Sequence, residues 1–203
     1  MSEVGSLLSR WMLFVDGENL TFRAQKLADR EGVALVPGRY FLKDTFVWLP
    51  SSIATLALPG AAEHYLQPNA IRAHYYTSVV GDEEKIRSVK NHLWEMNFQP
   101  TVFKKRKQTD RSKGVDIALT TDLLSGAYNN NFDRAVLVAG DGDYVPLINE
   151  VKRLGKVVHV LFFENEGLSD DLCLASDYLW GGFEQMFLTQ WRKASQGEWP
   201  SGE

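Results

Sequence analysis

A single cysteine in 203 residues has no partner within the chain, so Cys173 excludes an intramolecular disulfide and any cysteine-rich zinc site. It stands in the apolar stretch Leu172-Cys173-Leu174-Ala175, which predicts a buried, inert thiol. Long apolar runs are missing as well. The first of them, WMLFV at residues 11–15, is too short for a membrane span or a signal segment, and no basic region precedes a longer one. A cytoplasmic protein without membrane contact is the expectation. Charge of one sign is scarce: 22 basic residues against 26 acidic ones leave −4, which gives no global attraction for nucleic acid. Hydrophobic residues at 44% and charged residues at 24% are ordinary for a globular chain. The length suits one well-buried domain and is short for two.

What is present is organised around residues 135–148, AVLVAGDGDYVPLI. The first five form an apolar run of the kind buried on both faces of a parallel sheet. Gly140-Asp141-Gly142-Asp143 ends it, and an amphipathic helix with Tyr144, Val145, Leu147, Ile148, Val151 and Leu154 follows. Open α/β sheets bind ligands at the carboxyl ends of their strands. Two aspartates there, spaced by glycines that let backbone approach closely, suit a divalent cation better than a phosphate. The bland alternative is that they cap the next helix, for which one of them suffices. Residues 11–15 repeat the pattern: a buried strand ending in Asp16-Gly17-Glu18-Asn19, then a helix to about Arg30. Taken alone, Asp16 reads as a turn residue and Asn19 as a helix N-cap. The two strand ends gain weight together, because the central strands of one parallel sheet deliver their ends to the same edge.

Residues 32–68 carry Pro37, Pro50 and Pro59 and read as an insertion with a short helix or two, covering a sheet edge or joining a partner subunit; His64 reads as structural. Residues 69–80 predict a strand of alternating character, and residues 82–96 a helix with Ile86, Val89, Leu93 and Trp94 on one stripe. A strand at 101–103 then runs into a basic loop. From Lys104 to Lys113 six basic residues stand against one acid, a local charge of +5, which leaves −9 on the rest. Such a run is a solvated surface or, beside a carboxylate pocket, a contact for a phosphate backbone. Lys113 opens a helix to about Tyr128. Asp116 in its first turn suits the helix dipole, whereas Asp122, among Leu119, Leu123 and Leu124, needs a partner. A strand at 157–163, a short helix at 168–175 and an edge strand at 177–180 complete the pattern. The expected organisation is one domain over residues 1–190, interrupted at 33–68, and a polar tail over 191–203 that frays from Gln196.

FVDGENL, KGVDIALTTDLL, VLVAGDGDYVPLINEVKRLGK and LSDDLCLASDYLW, in that order, resemble an NYN domain of the LabA-like group within the PIN-like nuclease superfamily. The resemblance spans residues 12–180 around the insertion. It implies an α/β fold, a three-layer α/β/α domain with a mostly parallel central sheet, and cleavage of RNA with Mg²⁺ or Mn²⁺. The family's acidic positions fall on Asp16, Asp116, Asp141 and Asp143 as catalytic and metal-holding residues, with Asn19 as polar support and Asp122 as a further support behind them. Lys104, Lys105, Arg106, Lys107 and Lys113 would hold the substrate backbone, a single-stranded RNA, and the protein would act as an endoribonuclease, with a homodimer as one arrangement. One departure from the pattern is that many PIN nucleases add a glutamate from an earlier helix; here Glu18, Glu83 and Glu84 are the candidates. Two other classes remain open: a catalytically weak or inactive module that binds RNA or a protein, and a phosphohydrolase with Asp16 as nucleophile. The latter usually wants a second acid two residues on, and position 18 is a glutamate with no following threonine.

Overall fold

The computed structural model describes residues 9–36, 41–42, 46–47, 70–107 and 113–196. The first strand, β1 (Trp11–Asp16), is buried along its whole length and feeds directly into α1 (Gly17–Glu31). Next come the strands β2 (Phe41–Leu42) and β3 (Phe46–Val47), β4 (Arg72–Val80), α2 (Glu83–Glu95), β5 (Gln99–Lys105) and α3 (Lys113–Tyr128). The chain continues through β6 (Arg134–Val138), a 3-10 turn (Gly142–Tyr144), α4 (Val145–Arg153), β7 (Val157–Leu161), α5 (Asp170–Ala175), β8 (Tyr178–Trp180) and α6 (Phe183–Ser195).

Six strands form one sheet in the order β5-β4-β1-β6-β7-β8, and every neighbouring pair in it is parallel. Parallel strands need crossover helices, and these cover both faces. On one face Leu20, Ala24 and Leu27 of α1, Ile86, Val89 and Leu93 of α2, and Phe183, Phe187 and Trp191 of α6 pack on Leu13, Val15 and Tyr75. On the other, Val115, Leu119 and Leu123 of α3, Ile148 and Val151 of α4 and Leu172 of α5 pack on Phe14, Tyr76 and Leu137. The result is the expected three-layer α/β/α domain. The chain winds outward from β1 in one direction, returns through α3, and winds outward again from β6. The reversal lies between β1 and β6, where a doubly wound sheet opens a crevice at its carboxyl edge.

Several elements differ from expectation for identifiable reasons. β4 is buried on both faces from Ala73 to Val79 apart from His74, because it lies inside the sheet and an alternating pattern suits only a half-exposed strand. Trp94 is 72% exposed and lies off the α2 core stripe. Cys173 is only half-buried and Leu174 is 83% exposed, since α5 is a single short helix that buries just Leu172. Residues 41–42 and 46–47 form the antiparallel pair β2–β3, with Phe41 in the core, and most of the segment in which short helices are expected lies outside the described residues. Pro37, Pro50, Pro59 and His64 lie outside the described residues. Helix α6 carries regular structure past residue 190 and buries Trp191, so a polar tail starts later than residue 191.

Candidate active site

The carboxyl end of β1 places Asp16 at the crevice, 3% exposed. Its Oδ1 accepts the backbone N–H of Asn19 at 2.9 Å, so Asp16 is the N-cap of α1. The bland alternative for Asn19, a helix cap, therefore does not hold. The Asn19 side chain reaches across the strand reversal instead, where its Oδ1 accepts the backbone N–H of Gly140 at 3.2 Å. Glycine is needed at both strand ends. A side chain at Gly17 would run into the Tyr75 ring, and one at Gly140 would run into the Gly167 carbonyl oxygen and the Phe162 ring.

Helix α3 brings its first turn to the same place. The Tyr144 hydroxyl lies 2.8 Å from Asp16 Oδ2 and 3.2 Å from Asp116 Oδ1, so one phenol joins two carboxylates that are distant in sequence. Burial pushes the Asp16 carboxyl up to about 7; the Asn19 N–H and the Tyr144 hydroxyl pull it down, while the charges of Asp116 and Glu18 push it further up. Burial and the charges of Asp16 and Asp116 hold the Tyr144 phenol far above its ordinary range. A carboxyl that retains a proton near neutrality marks a place where negative charge is undercompensated.

Asp141 and Asp143 stand on the turn that follows β6. Asp141 Oδ1 accepts the backbone N–H of Asp143 at 3.1 Å, so Asp141 caps the 3-10 turn, and Asp143 is exposed. Thus the structure joins Asp16 to Asp116 and places Asp141 and Asp143 beyond the neighbouring strand end. Among the described residues, no group of three or more His, Cys, Asp or Glu side chains is arranged to hold a metal ion. The donor set nevertheless suits Mg²⁺ chemically. That ion favours hard oxygen ligands, takes one or two carboxylates, keeps several waters and completes its shell with substrate phosphate.

Asp122 finds its partner in Tyr76, whose hydroxyl donates to Oδ2 at 2.8 Å. It thereby ties α3 to β4. The basic run is not all loop: the β4–β5 ladder pairs Val79 with Lys104 and Val80 with Lys105, which carries β5 through both lysines. Lys104, Arg106 and Lys107 are exposed, whereas Lys105 forms an ion pair with Glu18 at 3.2 Å and its side chain is 9% exposed. Lys113 opens α3, but its side chain lies outside the described residues. Of the three glutamate candidates, Glu83 and Glu84 sit in the first turn of α2, and Glu18 alone contributes to the charge around Asp16. Tyr144 is the residue that sequence reasoning missed. Its only signal is a tyrosine among the aliphatic residues of the following helix.

The family model of the NYN domain matches residues 10–180, from just before β1 to the last residue of β8. NYN domains fall within the PIN-like superfamily, whose fold is that of nucleases. No curated protein matches the chain. A crystal structure of a protein of unknown function from Vibrio parahaemolyticus RIMD 2210633 is similar, with a TM-score of 0.57 and 20% identity, covering 88% of this chain and 94% of that one. At that identity the likeness concerns the fold alone.

Proposed function

The chain belongs to the NYN domain family, and from that premise we propose that it is a metal-dependent ribonuclease, an endonuclease acting on single-stranded RNA. The observation that carries the reading is the Tyr144 hydroxyl shared between Asp16 and Asp116 at the strand reversal. Convergence of two acids from separate segments, one of them buried, has little use in a purely structural domain, because like charges so placed repel.

Asp16 and Asp116 would hold a Mg²⁺ or Mn²⁺ ion, with Asp141 and Asp143 on the adjoining turn acting through waters that the ion keeps. Bound there, such an ion lowers the pKa of a water and screens the charge that develops on a phosphodiester. Asp16 has to give up its proton to serve as a ligand, so ion binding and proton release are coupled. Tyr144 keeps the two carboxylates in register, its one O–H donated to either of them at a time. Asn19 holds the β6 turn against the start of α1, which fixes the distance between the two halves of the site. Lys104, Arg106, Lys107 and Lys113 would neutralise substrate phosphates. Lys105, already paired, would instead orient Glu18.

The alternative, a module of the same fold that binds RNA or protein without cutting, draws on the absence of a three-carboxylate group among the described residues. Incubating the chain with end-labelled single-stranded RNA separates the two. The nuclease reading expects internal cuts with Mn²⁺ or Mg²⁺ and none with chelator. Retention of intact RNA under every condition would favour the binding module.

A further inference from the structure

Phe22 lies on the outermost face of α1 and is 49% exposed, although the helix buries Leu20, Ala24 and Leu27 on its other side. Two cations attend its ring: Lys26 Nζ lies 4.5 Å and the Arg23 guanidinium carbon 5.7 Å from its centroid. Both values are within the range of a cation–π contact. The position matters as much as the exposure. Phe22 is one helical turn beyond Glu18 and Asn19, which engage Lys105 and Gly140 at the carboxyl edge. Long side chains on a helix lean towards its N-terminus, so the ring covers surface on the site's side of its own Cα. At 1.5 Å of rise per residue, Phe22 stands about 9 Å along the axis from Asp16.

We propose that Phe22 is a stacking platform for an unpaired base of the RNA strand that passes Asp16 and Asp116, with Lys26 placed to meet that nucleotide's phosphate. The inference rests on the nuclease reading above and adds the reason for single-strandedness. An aromatic face can take a base only when the base is out of a duplex stack, and it does so whatever the base's identity. Arg23 is paired with Glu166 at 3.2 Å, so the occupant is chosen by Lys26, whose ammonium beside the ring fits a polyanion and would be left unmet by an apolar peptide segment. The platform therefore predicts preference for unpaired over duplex RNA with little sequence preference.

The test measures binding of the full chain, in chelator so that nothing is cut, to a short single-stranded RNA carrying 2-aminopurine and to its duplex. Phe22→Ala should weaken single-strand binding roughly five- to 150-fold, the range typical of losing one base–aromatic stack. It should also remove most of the fluorescence quenching that stacking causes. Phe22→Trp should restore both, whereas Phe22→Leu, which keeps bulk but not the π face, should not. Being exposed, the position leaves the fold unchanged, as a melting curve of each variant verifies. Equal affinity and quenching in wild type, Phe22→Ala and Phe22→Leu would overturn the platform, and if wild type still cuts single strands with Mn²⁺ the nuclease reading survives. A wild type that neither binds nor cuts any RNA would overturn both.

Discussion

Burial sets what Asp16 can do before any ligand arrives. Its carboxyl titrates near 7 rather than at the ordinary 3.8, so between about pH 4 and 7 the native protein keeps a proton that the unfolded chain has released. The stability contributed by the neutral form is present below about pH 4 and is lost as pH rises to about 7, at no more than about 1.4 kcal/mol per pH unit. Asparagine caps a helix as well as aspartate does and carries no charge to bury. In chelator, Asp16→Asn should therefore gain stability over wild type steadily from about pH 5 to about pH 7. Urea unfolding of the two proteins across that range checks it, and a pH-independent difference would mean that Asp16 is ionised throughout. Tyr144 works in the opposite direction, since its hydroxyl lowers the Asp16 pKa. Tyr144→Phe should move the acidic limb of the kcat/KM profile to higher pH; an unmoved limb would show that Asp16 is not the group that must lose its proton. Asp16 and Asp141 are readable from the sequence as residues at strand ends. Tyr144 is not, because its ring is core and only the hydroxyl reaches the two carboxylates, a division that hydropathy cannot express.

Among the elements, β5 changes meaning most between sequence and structure. Its basic end reads as a loop because lysine and arginine disfavour strands, yet the ladder to β4 carries the strand through Lys105. Lys105, paired with Glu18, is largely buried, whereas Lys104, Arg106 and Lys107 are exposed. Replacing Lys104, Arg106 and Lys107 by alanine should weaken RNA binding with little regard to sequence. It should also flatten the log–log dependence on salt by roughly 0.7 for each phosphate of a single strand that is no longer neutralised. A slope identical to wild type would make these residues ordinary surface. Helix α6 is not legible for a related reason. Its apolar stripe of Phe183, Phe187, Leu188 and Trp191 is present in the sequence, but no local side chain caps its start. Gly182, at φ +84°, begins it, and the carboxylate of Glu164, a residue from the loop after β7, receives the backbone N–H groups of Gly182, Phe183 and Glu184. A cap supplied from a distant loop leaves no mark in a window of sequence.

For the molecule as a whole, apolar runs alternating with helical patterns are enough to specify a parallel α/β sheet, but not the order of its strands. That order, β5-β4-β1-β6-β7-β8, decides where chemistry can sit, because it puts the carboxyl ends of β1 and β6 side by side at the reversal. Asp16 from the first half of the chain then meets Asp116 from the second through Tyr144. If that meeting is one functional unit, losing either acid should disable it as fully as losing both, since residues that act together are strongly non-additive. The decisive measurement is the rate of single-stranded RNA cleavage as a function of Mn²⁺ concentration for wild type, Asp16→Asn, Asp116→Asn and the double variant, each verified as folded. Wild type should show a saturating dependence on the ion and no cleavage in chelator, and all three variants should fall to the same low rate. Cleavage that persists in chelator, or single variants whose losses simply add to give that of the double, would contradict a shared site at Asp16 and Asp116.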